Sequence, residues 1–259
     1  MANFYVDVSI ISHGKGRSVT KLANYISGQK LHDCYLGKTY YKKRSDILFC
    51  DILLPEQAPS EFSNLQYLCD KIEQAENRYD ARTAREIKAS LPNELSLQEN
   101  IRIVQEYIRI NFLQRGLCTI AAIHEGRNAA HPERNNPHVH IIIPTRTVEP
   151  TGFCKKKLRE LDKIENVTIW REQLANVLNR AYERNGLSVR VSHESLKVQG
   201  IYDREPVVHL SRIDWQKEQR GEHTPNGDKN RAIRQRNEER AYRLQQEVDR
   251  RMSIEPEII

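Results

Sequence analysis

The sequence predicts an α+β fold. An antiparallel sheet of about five strands carries helices on one face, and a charged helical extension follows at the C-terminal end. Two observations support this. Apolar runs of strand length lie at residues 3–12, 83–90, 117–124 and 138–144, and stripes of helical spacing lie between or after them at 18–27, 96–114 and 170–185. The runs at 117–124 and 138–144 are joined by a polar loop, which predicts an antiparallel hairpin but is too long to fix its register.

In chain order, Tyr5, Val8 and Ile10-Ile11 favour a strand, and His13-Gly14-Lys15-Gly16 ends it. Ser18 can cap a helix running to Ser27, with Gly28 as its stop signal. Val19, Leu22, Ala23 and Ile26 form the buried stripe of that helix, and Tyr25 lies on its flank. Residues 30–44 read as a basic loop in which Lys38, Lys42, Lys43 and Arg44 stand among Tyr35, Tyr40 and Tyr41. Cations meet phosphates and tyrosines stack on bases, so this loop and the basic segment Lys15, Arg17, Lys21 are candidate nucleic-acid contacts. Residues 46–54 read as a buried segment closed by Pro55, and a helix is expected over 59–78. The strand at 83–90 places Glu86 and Lys88 on one face and Arg85 and Ile87 on the other. The clearest amphipathic helix spans 96–114 and ends at Gly116. Beyond the hairpin come a helix at 170–185 and a short strand at 189–191. From residue 212 the composition shifts to Arg, Glu and Gln, with a break at 221–227 and a charged helix at 229–250. The chain therefore divides as 1–212 and 213–259.

Of the 259 residues, 38% are hydrophobic and 29% charged, which is enough apolar material for a core. The net charge of +6 favours a polyanionic partner. There is no run of about 18 apolar residues to suggest a membrane span, and Met1 to Tyr5 lacks the pattern of a signal peptide. Five scattered cysteines, never spaced as Cys-x-x-Cys, argue against a disulfide framework or a cysteine zinc site. They predict a cytoplasmic chain with reduced thiols.

The chemistry centres on Asn136-Pro137-His138-Val139-His140. Residues i and i+2 of a strand point to the same face, so His138 and His140 project together. The hairpin brings His124 near them. Three converging imidazoles with open positions can hold a divalent metal as a Lewis acid. His131 is a rival third ligand, but it sits in a polar loop with no strand to aim it.

These motifs resemble a conjugative relaxase of the HUH endonuclease class, closest to the MobA/MobL mobilisation proteins. The resemblance runs through most of residues 1–212. It is carried by Ala23-Asn24-Tyr25-Ile26, by the segment Asp46 to Pro55, by Asp80 to Ile87, by Leu91-Pro92-Asn93-Glu94-Leu95 and by Ala122-Ile123-His124. Asn136 to His140 and the stretch from Ser192 to Leu210 complete it.

The resemblance implies a nick in one strand at a plasmid origin of transfer. Tyr25 would attack the scissile phosphate, leaving a 5′-phosphotyrosyl link and a free 3′-hydroxyl that can later religate. It also implies an acidic partner at Glu86, either orienting a metal-bound imidazole or accepting the tyrosine proton. A tyrosine hydroxyl is ordinarily protonated at neutral pH, so a nearby cation or base must help it react. The expected partners are single-stranded origin DNA, with or without a hairpin, and relaxosome accessory and coupling proteins. The expected cofactor is manganese or magnesium, with zinc, cobalt or nickel also compatible with three histidines. The loop from His124 to His138 is longer than the family pattern, and Ser192-His193-Glu194 stands where an acidic-His-Arg order is expected. A role for that arginine is therefore not carried over. The alternatives are a rolling-circle replication initiator using a tyrosine downstream of the histidines, here Tyr182, and a non-catalytic DNA-binding protein with a structural metal.

Overall fold

The computed structural model describes residues 4–76, 78–127 and 135–254. The chain divides into two compact units, Met1–His193 and Glu194–Ile259.

The first unit is built on a five-stranded antiparallel sheet. Its strands are β1 (Val6–Ser12), β4 (Ile47–Leu53), β5 (Arg82–Ser90), β6 (Thr119–His124) and β7 (His138–Pro144), in the order β1-β5-β7-β6-β4. β7 is central because Val139, Ile141, Ile142 and Ile143 are apolar on both faces, and a strand with two apolar faces must be covered twice. β4 is an edge strand and only half-buried, where the sequence suggested a buried segment.

Helices cover both faces of the sheet, where one helical layer was expected. On one face α3 (Leu97–Asn111) and α4 (Glu165–Arg184) pack Ile103, Tyr107, Trp170 and Leu174 against Ile87, Ala121, Val139 and Ile141. On the other, α1 (Val19–Ser27) and α2 (Leu65–Gln74) pack Val19, Ala23, Ile26, Leu68 and Ile72 against Ile11, Ala84, Ile120 and Ile142. The reason is the stripe on α1 itself, which is too apolar to leave in water. The histidine-bearing end of the second face lies under the C-terminal part of α1.

Local signals set the helix limits. Ser18, Asn64 and Ser96 each accept a backbone N–H in the first turn of α1, α2 and α3. Gly28 ends α1 with φ of 67°, which a side chain would resist. Residues 30–44 are not all loop, because Leu31–Asp33 (β2) and Lys38–Tyr40 (β3) pair as a small hairpin. A second hairpin, β8 (Arg146–Glu149) and β9 (Gly152–Lys157), turns at Pro150-Thr151-Gly152. That turn signal is present in the sequence, although no strand was expected there. The strand expected at 189–191 is absent among the described residues. There the Asn179 side chain accepts from Val191 N–H and donates to its carbonyl, both at 2.9 Å, which satisfies the backbone without a ladder.

The second unit holds α5 (Arg212–Gln219) and α6 (Pro225–Ile254). The helix begins earlier than the expected 229, because Pro225 occupies the first helical position, where its missing N–H costs nothing. Asn230 and Asn237 of α6 each clasp an extended residue, Val208 and Glu205, through its N–H and C=O at 2.7–2.9 Å. No helix among the described residues is long and apolar enough to cross a membrane.

Candidate metal centre and nucleophile

The β6–β7 register decides the site. His124 pairs directly with His138, and Ala122 pairs with His140. Opposed residues of an antiparallel pair share a face, so all three imidazoles project to one side. The base of the long loop helps hold that register. Asn136 N–H donates to the Gly126 carbonyl at 3.0 Å. Gly126 has φ of 60°, and a Cβ there would lie 2.1 Å from the Asn136 carbonyl oxygen, so only glycine permits the approach.

Each imidazole uses one nitrogen on an outer partner and turns the other inward. His124 Nε2 lies 2.9 Å from the Ile26 carbonyl, His138 Nδ1 2.8 Å from the Asn136 carbonyl, and His140 Nδ1 2.8 Å from Glu86 Oε1. Carbonyls and carboxylates only accept, so each of these nitrogens carries the proton, and it is the opposite nitrogen that offers a lone pair when the ring is neutral. Among the described residues, His124 Nδ1 and His140 Nε2 are buried without a hydrogen-bond partner. One ligand atom from each of the three histidines lies within 4.8 Å of the others. Burial pulls both His124 and His138 down to about 4, against the hydrogen bonds that favour their charged forms. These two are therefore neutral near pH 7, as a metal ligand must be. Inward lone pairs, outer donors and neutral rings together fit a divalent metal.

Glu86 stands next to this centre in β5. Besides His140 it accepts from Arg17 at 2.8 Å and from Ser9 Oγ at 3.3 Å. Burial alone would raise its carboxyl, but the hydrogen bond from His140 and the charge and hydrogen bond of Arg17 outweigh burial and hold it below its ordinary value. Lys88 and Arg85 do not hold it, since Arg85 turns to Asp162 on the other side of the strand. Replacing Glu86 with alanine frees the His140 ring. Titration calorimetry with manganese or zinc is expected to show affinity falling about 10- to 100-fold. An unchanged affinity would mean that Glu86 does not hold the ligand.

Tyr25 is half-buried, with its ring edge-on to His124 and to His140 at 5.8 Å between centroids in both cases. The Arg44 guanidinium lies 4.3 Å from its ring centroid and Lys42 Nζ 5.8 Å. Asp46 grips Arg44 through both carboxylate oxygens. That hydrogen bond raises Arg44 above its ordinary value and draws Asp46 down to about 2, so both stay charged.

The six basic residues singled out in the sequence separate into two groups. Arg17 and Arg44 are occupied with Glu86 and with Asp46 and Tyr25. Lys15, Lys21, Lys42 and Lys43 are exposed, and Lys21 Nζ lies 5.9 Å from the Tyr40 ring. His131 lies outside the described residues. Tyr182 is buried in the core on the opposite sheet face, remote from the histidines.

A basic cleft at the far end of the sheet was not anticipated from the sequence. Arg78, Arg82, Lys155, Lys156, Lys157 and Arg159 line it. It sits where β5 starts and β7 ends, about 20 Å from the histidine end at the usual strand rise. Lys157 and Arg146 neutralise the buried Glu76 in its floor, at 2.7 and 2.8 Å. The run Lys155-Lys156-Lys157 is the signal in the chain, and the unexpected hairpin hid it.

The MobA/MobL family model matches residues 17–220. The chain is 28% identical to a probable mobilization protein MobA of Bifidobacterium longum over 92% of its own length and 48% of that protein's. It is also 28% identical to a mobilization protein MobL of Acidithiobacillus ferridurans, over 81% of this chain and 62% of that one. It thus spans about half to three-fifths of these relatives. A solved structure described as the molecular basis of vancomycin resistance transfer in Staphylococcus aureus superposes with a TM-score of 0.67. The identity there is 28%, over 75% of this chain and all of that one. With the match covering most of the sheet, the histidines and the tyrosine helix, the chain belongs to the MobA/MobL family.

Proposed function

We propose that this protein is a DNA relaxase that nicks one strand at a plasmid origin of transfer and later rejoins it. The observation that carries the reading is the convergence of His124, His138 and His140 beside the Tyr25 ring. Residues 1–212 form the nicking domain and residues 213–259 a charged extension.

Tyr25 Oη attacks the scissile phosphorus, and the 3′-oxygen leaves. One phosphoester bond forms as another breaks, so the bond energy is kept in the 5′-phosphotyrosyl link. Rejoining is the reverse, with the free 3′-hydroxyl as nucleophile. His124, His138 and His140 would hold a divalent metal. When bound, it neutralises the non-bridging phosphate oxygens and favours in-line attack. Manganese or magnesium would serve in use, and the three nitrogen donors also suit zinc, cobalt or nickel. Glu86 fixes the His140 ring, and Arg17 and Ser9 keep that carboxylate in place. Because Glu86 is already committed to three donors, His140, Arg17 and Ser9, its role is orientation rather than proton acceptance. Arg44, locked by Asp46, supplies positive charge where the tyrosine oxygen becomes negative.

The exposed lysines near Tyr25 and the far cleft give the DNA two positively charged supports, one for the cut strand and one for a flanking arm such as a hairpin. Phosphate contacts of this kind set affinity and register, not sequence. Replacing Lys155 and Lys156 with alanine should weaken binding equally on all sequences. It should also flatten the slope of log affinity against log salt by about 1.5 to 2. A fluorescence-anisotropy salt series that leaves the slope unchanged would remove the cleft from the DNA path. The setting is the bacterial cytoplasm, where relaxosome accessory proteins and a coupling protein would complete the assembly.

The reading is tested by incubating the protein with end-labelled single-stranded origin DNA and manganese, then running denaturing gels. A protein–DNA adduct that resists denaturation is expected. Its absence on cognate DNA under saturating metal would overturn the relaxase reading.

A further inference from the structure

One buried acid does not belong to the histidine centre. Glu73 lies in the last turn of α2, where the helix dipole disfavours a carboxylate. Its side chain is fully buried. Burial pushes its carboxyl up, against the hydrogen bonds from His13 and Val19. An apolar residue would stabilise this interior at least as well. A costly group in an unfavourable position calls for a positional reason.

Its contacts supply one. Glu73 Oε1 accepts from the Val19 N–H at 2.6 Å, at the first residue of α1. Glu73 Oε2 lies 2.5 Å from His13 Nε2. The His13 ring is itself fixed twice: Nδ1 lies 3.3 Å from the Arg78 carbonyl, and Tyr35 stacks on its face at 3.7 Å with the planes 7° apart. At its other end α1 gives the Ile26 carbonyl to His124 at 2.9 Å. The helix that carries Tyr25 is therefore tied at its N-terminus to a buried acid and at its C-terminus to a metal ligand. Tyr25 sits between the ties, about 9 Å along the axis from Val19.

We infer that Glu73, held by His13, is a positioning residue that sets the axial placement of α1 and so the distance from Tyr25 to the histidine centre. Ser18 already caps the first turn by accepting from Lys21 N–H, so Glu73 is not needed merely to start the helix. A carboxylate anchored on a separate helix adds a fixed point outside α1. A helix moves as a rigid rod, so a shift of its first turn is passed undiminished to Tyr25.

The consequence for cutting rests on the relaxase reading, whereas the clamp itself does not, and two readouts separate them. Single-turnover cleavage of origin DNA measures the first, and amide hydrogen exchange over Val19–Ser27 measures the second. Three variants serve. Glu73→Gln keeps an acceptor for Val19 and an amide for His13, and should cut within about 3-fold of wild type. Glu73→Asp withdraws the carboxylate by one methylene while keeping its charge. The pair Glu73→Leu with His13→Phe replaces both members of the buried pair with apolar groups and removes the acceptor of the Val19 N–H. Both of these should lose about 10- to 100-fold in the cleavage rate constant, with DNA affinity unchanged and exchange in α1 faster. If Glu73→Asp folds and cuts like wild type with unaltered exchange, the inference is wrong. It is equally wrong if Glu73→Gln loses as much as Glu73→Asp, since charge and not placement would then matter. Should wild type itself cut no DNA, the relaxase reading fails and the exchange measurement alone decides the clamp.

Discussion

Tyr25→Phe is expected to form no covalent adduct with origin DNA and to lose nicking by on the order of 10⁴-fold or more, the range seen when a sole nucleophile is deleted. The substitution removes one hydroxyl and keeps the ring that packs edge-on against His124 and His140. Folding, metal uptake and DNA affinity should therefore stay close to wild type. That separation makes the result informative, because the variant should bind labelled DNA in a native gel and leave it uncut in a denaturing one. An adduct that persists in Tyr25→Phe would move the nucleophile to another of the eleven tyrosines. Tyr40 and Tyr41, in the neighbouring basic segment, would be the first to replace.

The second large effect concerns the histidines. His140→Ala should abolish tight metal binding and lower cleavage by about 10³-fold, as expected when the main stabiliser of developing phosphate charge is lost. Chelation of the wild type should do the same, reversed by added manganese. DNA affinity should change little in either case, because the lysines proposed to meet the phosphates lie outside the cluster. His140→Ala also leaves the Glu86 carboxylate buried with Arg17 as its remaining charged partner. The melting temperature should therefore drop by several degrees, on the scale of about 1.5–3 kcal/mol for a lost hydrogen bond to a charged group. His138→Ala removes one hydrogen bond, to the Asn136 carbonyl, and the ring contacts with His124 and His140, and should fold as wild type. A metal-saturated His138→Ala that cuts at full rate would exclude that ring from the ligand set. His124 would then need a partner other than His138.

Several of these groups are legible in the amino-acid sequence. The period-two rule places His138 and His140 on one face whatever the rest of the fold does. The hairpin motif brings His124 to them, although only the observed pairing with His138 fixes the register. The helix cap at Ser18 follows from nearest neighbours and appears as expected. The limits of α6 and the missing strand at 189–191 went the other way. In both cases a single side-chain or proline effect outweighed the general pattern.

Local sequence sets the inventory: a strand with two imidazoles on one face, a third on a neighbouring strand, a tyrosine on the flank of a short helix, and an excess of positive charge. Each is set by residues within a few positions of one another, where periodicity and capping act. How each group is used depends on the assembled fold. Arg17 and Arg44 looked like two more DNA cations, yet one holds Glu86 and the other stands over Tyr25. The second nitrogen of His140 is fixed by a residue 54 positions away, and that of His124 by a carbonyl 98 positions away. The clamp on α1 joins residues 54 and 60 apart. Hydrogen bonds across such separations leave no periodic trace in a sequence, because they form only after the sheet has brought distant strands and helices together.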